Sequence, residues 1–545
     1  MRITSRRIVQ ATAALAAAAM MAACSSSAAS ESEQEEGGTL TYLEFDAHTT
    51  LYPPEGGKYQ NGGIINNIGD RLVYQDPETL DFEPWLATEW EVNDDATEFT
   101  FTLREDVTFS DGAPLTAEVV AANFDLYGQG DSGRALIVSE AVNNYESSEV
   151  IDEHTVRFHF TDPSPGFLQA TSTINSAILS PDTIEFAHEG FGPGNAVNVI
   201  GTGPFVIDSE DIGTSLTLTA REDYDWAPAS HPHQGRAQID EIQIQVLPED
   251  SVRIGALTSG QGHIARQIGA KDEQRVRDAG AEIVAAATRG VNNSLNYRIG
   301  SDILSDERVR QAISAAVDRE EVVETIFTDS YPLATGVLAS SALGYLDTSQ
   351  SYSHDPEAAR DLLEEAGWEE GADGIREKDG ERLTLVVNEA APQPRSFDVV
   401  TLLSQQLREV GIDLEVLRAD AGTFAEAIKD PNRVQIYHSM VGRTDLDVIK
   451  SQFHSENRNV LLNRDPATGE ITDPELEELL EAVASEADGE ARVENSQVVQ
   501  DYLTDNTYVL PLFEEPQVFG VNPGVEGFDT ESVGRPSFYG VSLDG

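Results

Sequence analysis

The chain has 545 residues, 40% of them apolar, with 43 glycines and 24 prolines, a globular composition long enough for two or three domains. It carries 96 acidic against 35 basic residues, a net charge of -61, and lacks the basic surface that phosphate binding needs, which excludes nucleic acid as a partner. Only five basic residues are lysines (Lys58, Lys271, Lys378, Lys429 and Lys450), so the surface reads either as an adaptation to concentrated salt or as the product of a genome that favours arginine.

Residues 1–23 read as a targeting segment. Arg2, Arg6 and Arg7 give a positive start, and Ala11 to Ala23 is a mostly apolar run too short to span a bilayer. Ser5-Arg6-Arg7-Ile8-Val9 contains a twin arginine, but adjacent arginines are common in ordinary targeting segments, so the general secretory route is expected. Met21-Ala22-Ala23-Cys24 resembles a lipobox, which implies cleavage before Cys24 and lipidation of its thiol. Cys24 is the only cysteine, so no intrachain disulfide forms. Residues 24–38 are small, polar and acidic and read as a flexible tether.

Folded sequence is expected from about Thr39. Leu40 to Phe45 reads as a strand, His48 to Tyr59 as a loop, and Asn66 to Tyr74 as a short helix or turn. In Thr97 to Phe124, Phe99, Phe101 and Leu103 alternate with polar residues, the period of a strand with one buried face. Ser110, Asp111, Gly112 and Pro114 then make a turn, and Thr116 caps a helix through Phe124. Gly201 to Pro204 make a tight turn into a strand at Phe205, and Ile239 to Leu247 is another strand. A strand carrying Asn292 and Asn293 precedes a helix capped by Ser305. Asp318, with Glu321 three residues on, caps the next helix. Asp355-Pro356 starts a helix that ends at Gly367. Strands at 383–387, 412–417 and 435–440 alternate with helices at 396–410 and 424–428, an α/β lobe. Residues 475–502 read as two acidic-faced helices, 509–513 and 517–521 as strands, and the last residues as loop-rich. Trp85 and Trp90 are expected to pack rather than to stack on a ligand.

Several phrases along this path resemble the family 5 extracellular solute-binding proteins, the peptide, nickel and related receptors of ABC importers. They are Asp76-Pro77 followed by Pro84, Leu86, Ala87 and Trp90; LREDVTFSDGAPLTAEVV at 103–120; GTGPF at 201–205; RIGALTSG at 253–260; VRQAISAAVDREEVV at 309–323; and HDPEAARDLLEEAGW at 354–368. They occur in family order and cover most of the mature chain. Three departures stand out. Phe205 replaces a tyrosine, Leu218, Arg221, Tyr224 and Trp226 are shifted by one residue, and His263 stands where the family has an acid.

The resemblance implies an α/β, two-lobed periplasmic-binding-protein-like fold with an extra inserted domain and a ligand cleft between the lobes. Domain I would be built from 39–67, 200–292 and 510–545, domain II would be the insertion 68–199, and domain III 293–509. It implies capture of a small solute, a short peptide first and a nickel-type metal chelate as the alternative, with delivery to ABC permease subunits. The receptor would be a monomer, held outside the cytoplasm on the membrane by its lipid, and would need no cofactor. Gly442-Arg443-Thr444-Asp445 resembles the site that pairs with a peptide's amino group, and Pro392-Gln393-Pro394-Arg395 the site that pairs with its carboxylate. The expected ligand-binding residues are therefore Asp445, Arg395 and Arg443, with Asn293 and Phe45 from the strands that reach the cleft. An internal Asp445–Arg443 ion pair is the competing reading.

No G-x-S-x-G, H-E-x-x-H or phosphate-loop motif is present, so an extracellular hydrolase is the weaker alternative. His231 and His233 have the spacing of a strand-borne metal pair but sit among prolines and glycines, where solvated histidines are expected.

Overall fold

The computed structural model describes residues 37–544 apart from 186–189, 391–392, 394, 457–461 and 466–467. The targeting segment, Cys24 and the tether to residue 36 lie outside the described residues, as do Pro392 and Pro394. The strands of the three main sheets are numbered here in chain order: β1 Thr39–Glu44, β2 Ala87–Val92, β3 Glu98–Leu103, β4 Tyr145–Asp152, β5 Thr155–Phe160, β6 Phe205–Asp211, β7 Ser215–Ala220, β8 Glu241–Val246, β9 Ile264–Arg266, β10 Glu282–Ala287, β11 Val291–Tyr297, β12 Thr384–Asn388, β13 Asp413–Leu417, β14 Ile436–Val441, β15 Val509–Phe513 and β16 Pro516–Val521.

One lobe is a seven-stranded sheet in the order β10-β16-β9-β1-β8-β7-β6. The other holds a five-stranded sheet, β13-β12-β14-β11-β15. A four-stranded sheet, β2-β3-β5-β4, comes from the stretch between β1 and β6. It shares a single core with the seven-stranded sheet, in which Phe101, Phe124 and Phe158 join Tyr42, Ile242 and Leu218. The alternation in β3 does what its period dictates: Phe99, Phe101 and Leu103 are buried. The Thr116 hydroxyl accepts from the Val119 amide and starts the helix Ala117–Gln129. Asp318 and Asp355 cap Arg319–Ile326 and Pro356–Glu365 in the same way.

Three local expectations are corrected. Tyr59–Ile68 is a helix, where the loop was expected to run to Tyr59 and a short helix or turn to start only at Asn66. Gly62 and Gly63 lower its intrinsic propensity, but Ile64, Ile65 and Ile68 are buried, and tertiary packing overrides propensity. Glycine is needed there because a Cβ on Gly62 would lie 2.4 Å from the Arg535 side chain. The helix Glu307–Ala316 is capped by Asp306, not Ser305. The first strand starts at Thr39 as expected, and just before it the Gly37 amide donates to the Gln238 carbonyl at 2.8 Å. The carboxyl-terminal stretch, expected to be loop-rich, contains two short strand pairs, Val525–Glu526 with Ser542–Leu543 and Asp529–Thr530 with Pro536–Ser537.

Two short crossings join the lobes. Residues 288–290 run from β10 into β11, and residues 514–515 from β15 into β16. Gly290 has φ 85°, and a Cβ there would lie 2.2 Å from the Val441 carbonyl oxygen, so the crossing passes directly against the end of β14.

A surface with net charge -61 repels itself most when screening is weak. The melting temperature is expected to rise by several degrees between low and molar salt. A melt that does not rise with salt would instead assign the charge to arginine-rich, lysine-poor base composition.

Candidate functional site

Strand direction brings particular residues to one place. In the five-stranded sheet β12 is parallel to β14, and β11 is antiparallel to both β14 and β15. The carboxyl ends of β12, β14 and β15 and the amino end of β11 therefore share one edge. In the seven-stranded sheet β1 and β9 are parallel, and β16 runs antiparallel to β9 and β10. Glu44, Arg266, Ala287 and Pro516 thus share an edge, and the two crossings set this edge against the other. Ligand clefts of α/β sheets form at such strand ends.

A cavity of about 90 Å³ opens between these edges, lined by Thr288, Arg289, Asn293, Met440, Glu514 and Glu515 among others. Glu515 is only 6% exposed. Its Oε2 accepts from Asn293 Nδ2 at 2.8 Å. Among the described residues no Arg, Lys or His pairs with it, and burial pushes its carboxyl up to about 7. Asn293 also donates to Gln393 Oε1 at 2.9 Å, which leaves its carbonyl oxygen to accept from His438 Nε2 at 2.6 Å. His438 then carries its proton on Nε2, and Nδ1 accepts from the Ser396 hydroxyl at 3.0 Å. Burial pushes His438 down to about 4, so it is neutral. This chain of hydrogen bonds fixes the amide of Asn293 with its NH₂ toward Glu515.

The basic groups around the cavity are engaged by neighbouring acceptors. Arg266 Nη2 lies 2.6 Å from Glu44 Oε1, and its Nη1 donates to Gln517 Oε1 at 2.9 Å. Arg289 donates to the carbonyls of Pro77 and Ser532, while its Nε is buried without a partner. Thr444 donates to Gln75 Oε1 at 2.8 Å and accepts from Gln169 Nε2 at 2.7 Å, tying the five-stranded lobe to two segments of the stretch between β1 and β6.

Asn293, Arg395, Arg443 and Asp445 all lie at the expected edge, but their side chains have different surroundings. Asn293 is in the cavity wall. Asp445 is buried and held by both Nη atoms of Arg492, a bidentate pair. Burial pushes its carboxyl up, and Arg492 more than offsets this, holding it below the usual range. The competing Asp445–Arg443 pair is corrected: Arg443 sits 3.2 Å from Asp447 and 3.7 Å from Glu140. A Cβ on Gly166 would lie 2.9 Å from Asp445 Oδ1, so the Asp445–Arg492 pair abuts the segment after β5. Arg395 has φ 61°, pairs with Asp398 and donates to the Ile326 carbonyl at 3.4 Å. The Phe45 ring is not in the cavity wall and lies 5.3 Å from the guanidinium carbon of Arg253.

The other singled-out side chains have packing partners. Trp85 is buried beneath the Arg71 guanidinium at 4.4 Å, and Trp90 packs against the same core. His263 Nδ1 accepts from the Thr41 amide at 2.8 Å. His231 and His233 pack on Tyr539 with ring centroids 4.7 and 5.1 Å away. Among the described residues no group of three or more His, Cys, Asp or Glu is placed to hold a metal ion. Sequence reasoning missed Glu515, Arg289 and Arg492. The one available signal was the acidic pair that directly follows the buried strand VLPLF.

The model of the bacterial extracellular solute-binding proteins, family 5 Middle, matches residues 81–447. The dipeptide-binding protein of Escherichia coli (strain K12) is 23% identical over 493 residues, 87% of this chain and 89% of that protein. The glutathione-binding protein GsiB of Salmonella typhi is 25% identical over 345 residues, and that match spans 63% of this chain and 62% of the relative. NikA from Brucella suis, solved in complex with Fe(III)-EDTA, superposes with a TM-score of 0.76 at 22% identity, over 92% of this chain and 99% of that one. It shares the two-lobed fold.

Proposed function

The chain belongs to the bacterial extracellular solute-binding proteins of family 5, and from that premise we propose that it captures a short peptide in the cleft between its two larger sheets and hands it to the permease of an ABC importer. The observation that carries this reading is the cavity between two strand edges whose sheets the chain connects by two short crossings, the arrangement of lobes that close on a ligand. The names of the dipeptide- and glutathione-binding relatives favour a peptide. In this reading domain I is 39–67, 200–292 and 510–545, domain II is 68–199 and domain III is 293–509. Asp445 and Arg395 meet the solute's amino and carboxylate ends, giving up Arg492 and Asp398 to do so.

Native mass spectrometry of the protein purified without denaturation tests the reading. Peptide masses released with the protein are the expected result. A metal chelate, sugar or opine in their place would overturn the peptide and leave the receptor.

The same reading places the receptor on the outer side of the membrane as a monomer anchored through Cys24. One acyl chain anchors marginally and two stably, so diacylation is expected. Cys24→Ser should release the protein from the membrane fraction. Retention of that variant at the membrane would remove the anchor from the account.

A further inference from the structure

Glu515 is a buried carboxylate that pairs with no cation among the described residues. A buried charge is costly unless it is paired, and the other buried acids near the crossings obey that rule: Glu44 has Arg266 and Asp445 has Arg492. Glu515 has one amide donor, Asn293, held in place by His438 and Ser396. It faces a cavity of about 90 Å³, several times the ~10–15 Å³ that admits one water. Glu514, half-buried, lines the same cavity and accepts the Ser340 amide at 3.0 Å. Arg289 also lines it, with its Nη donors committed to the carbonyls of Pro77 and Ser532. The whole protein, at net charge -61, draws cations toward it.

We propose that this cavity is a subsite for a cationic side chain of the solute, an ammonium or guanidinium group as on lysine or arginine, with Glu515 as its counter-ion. The proposal rests on the peptide reading above and adds a specificity to it, since Asp445 and Arg395 serve the ends of any peptide whereas Glu515 selects a basic side chain. The cation restores the pairing that the fold leaves open and completes the set of donors to Glu515 that Asn293 begins.

Binding at this subsite is linked to pH. The cation binds the ionised carboxylate, so its contribution is full above about pH 7 and fades as pH falls through that value. The other groups around Glu515 are Glu514 on its own crossing, Arg289 on the other, His438 behind Asn293, Tyr331 with Arg395 and Glu273 near it, and Tyr59 with Arg266, Arg535 and Glu531 near it. Burial keeps His438 neutral and pushes both tyrosines upward, so none of these three titrates near neutrality.

The test uses the full chain, stripped of ligand, and two sets of alanine tripeptides. One set carries a single lysine at each position in turn, the other an uncharged norleucine in its place. Calorimetry on wild type at about pH 8 should give the lysine set an advantage of about tenfold or more, shrinking toward about pH 6. Glu515→Gln, which keeps the shape and the Asn293 hydrogen bond, should abolish the advantage, so that it binds the two sets alike. The pH arm needs no variant, so it stands even if Glu515→Gln folds poorly. Equal affinity for the two sets in wild type, or an advantage that survives in Glu515→Gln, overturns the subsite and leaves the peptide reading standing. If neither set binds wild type, the peptide reading fails, and lysine and putrescine become the probes: binding that Glu515→Gln loses upholds the subsite, and absence of binding overturns it.

Discussion

Asp445→Ala is expected to destabilise the ligand-free protein by about 3–5 kcal/mol, because it strands Arg492, a buried guanidinium, without its carboxylate. Arg492→Met should cost a similar amount by stranding Asp445. The double variant Asp445→Ala with Arg492→Met removes both charges and should recover much of the loss, since a buried pair replaced by apolar groups is often nearly neutral. That recovery separates folding from binding. If Asp445 meets the solute's amino end, the double variant melts close to wild type yet binds peptides roughly tenfold to a few thousandfold more weakly. A double variant that regains both stability and affinity would make Asp445 a structural residue alone. Arg395→Ala is the contrasting case. Its pair with Asp398 is partly solvated, with side-chain exposures of 30% and 49%, and such pairs contribute about 0–1 kcal/mol. It should fold as wild type does and lose affinity chiefly for ligands that carry a carboxylate.

Glu515→Gln should do the reverse of most binding-site changes and stabilise the ligand-stripped protein. Burial raises this carboxyl from 4.5 to about 7. A raised acid contributes its stability in full below the unfolded value and loses it as pH climbs through the folded value. Wild type therefore forfeits about 3 kcal/mol between roughly pH 4.5 and pH 7, at ~1.4 kcal/mol per pH unit. Glutamine cannot ionise and forfeits nothing. Denaturant melts of the two proteins should coincide near pH 4 and separate by about that amount at pH 8, the variant being the more stable. Curves that stay parallel across this range would show that Glu515 carries no burial penalty. A gain in stability joined to a loss of lysine-peptide selectivity is what a site that holds strain for function displays.

Local chemistry explains which parts of the molecule are legible in the sequence. The strand Glu98–Leu103, its turn and the Thr116-capped helix are readable because each step depends on neighbours within four residues. The capped helices after Asp318 and Asp355 are readable for the same reason. Tyr59–Ile68 is not, because Gly62 and Gly63 argue against a helix and only distant Arg535 and Pro536 explain them.

The site divides along the same line. That Arg395, Arg443, Asp445 and Asn293 gather at one sheet edge follows from strand order and direction, which the motif order conveys. What each side chain touches does not follow. Asp445 meets Arg492 across 47 residues of sequence, and Asn293 meets Glu515 across 222. Neither pairing has a local signature. The lack of a cation on Glu515 is less visible still, since among 96 acidic residues only the packing distinguishes one that is buried with an amide as its donor.

The central claim is that the solute sits between the two strand edges. Hydrogen exchange followed with and without a saturating peptide, chosen from those released in the native mass spectrum, tests it most directly. Added protection should concentrate in residues 44–46, 288–293, 440–445 and 514–517, stretches of the edges and crossings that face the cleft, and in the segment around Arg395. Protection centred instead on the separate cavity beside Tyr42, His48 and Phe538, with the crossings unchanged, would contradict the account.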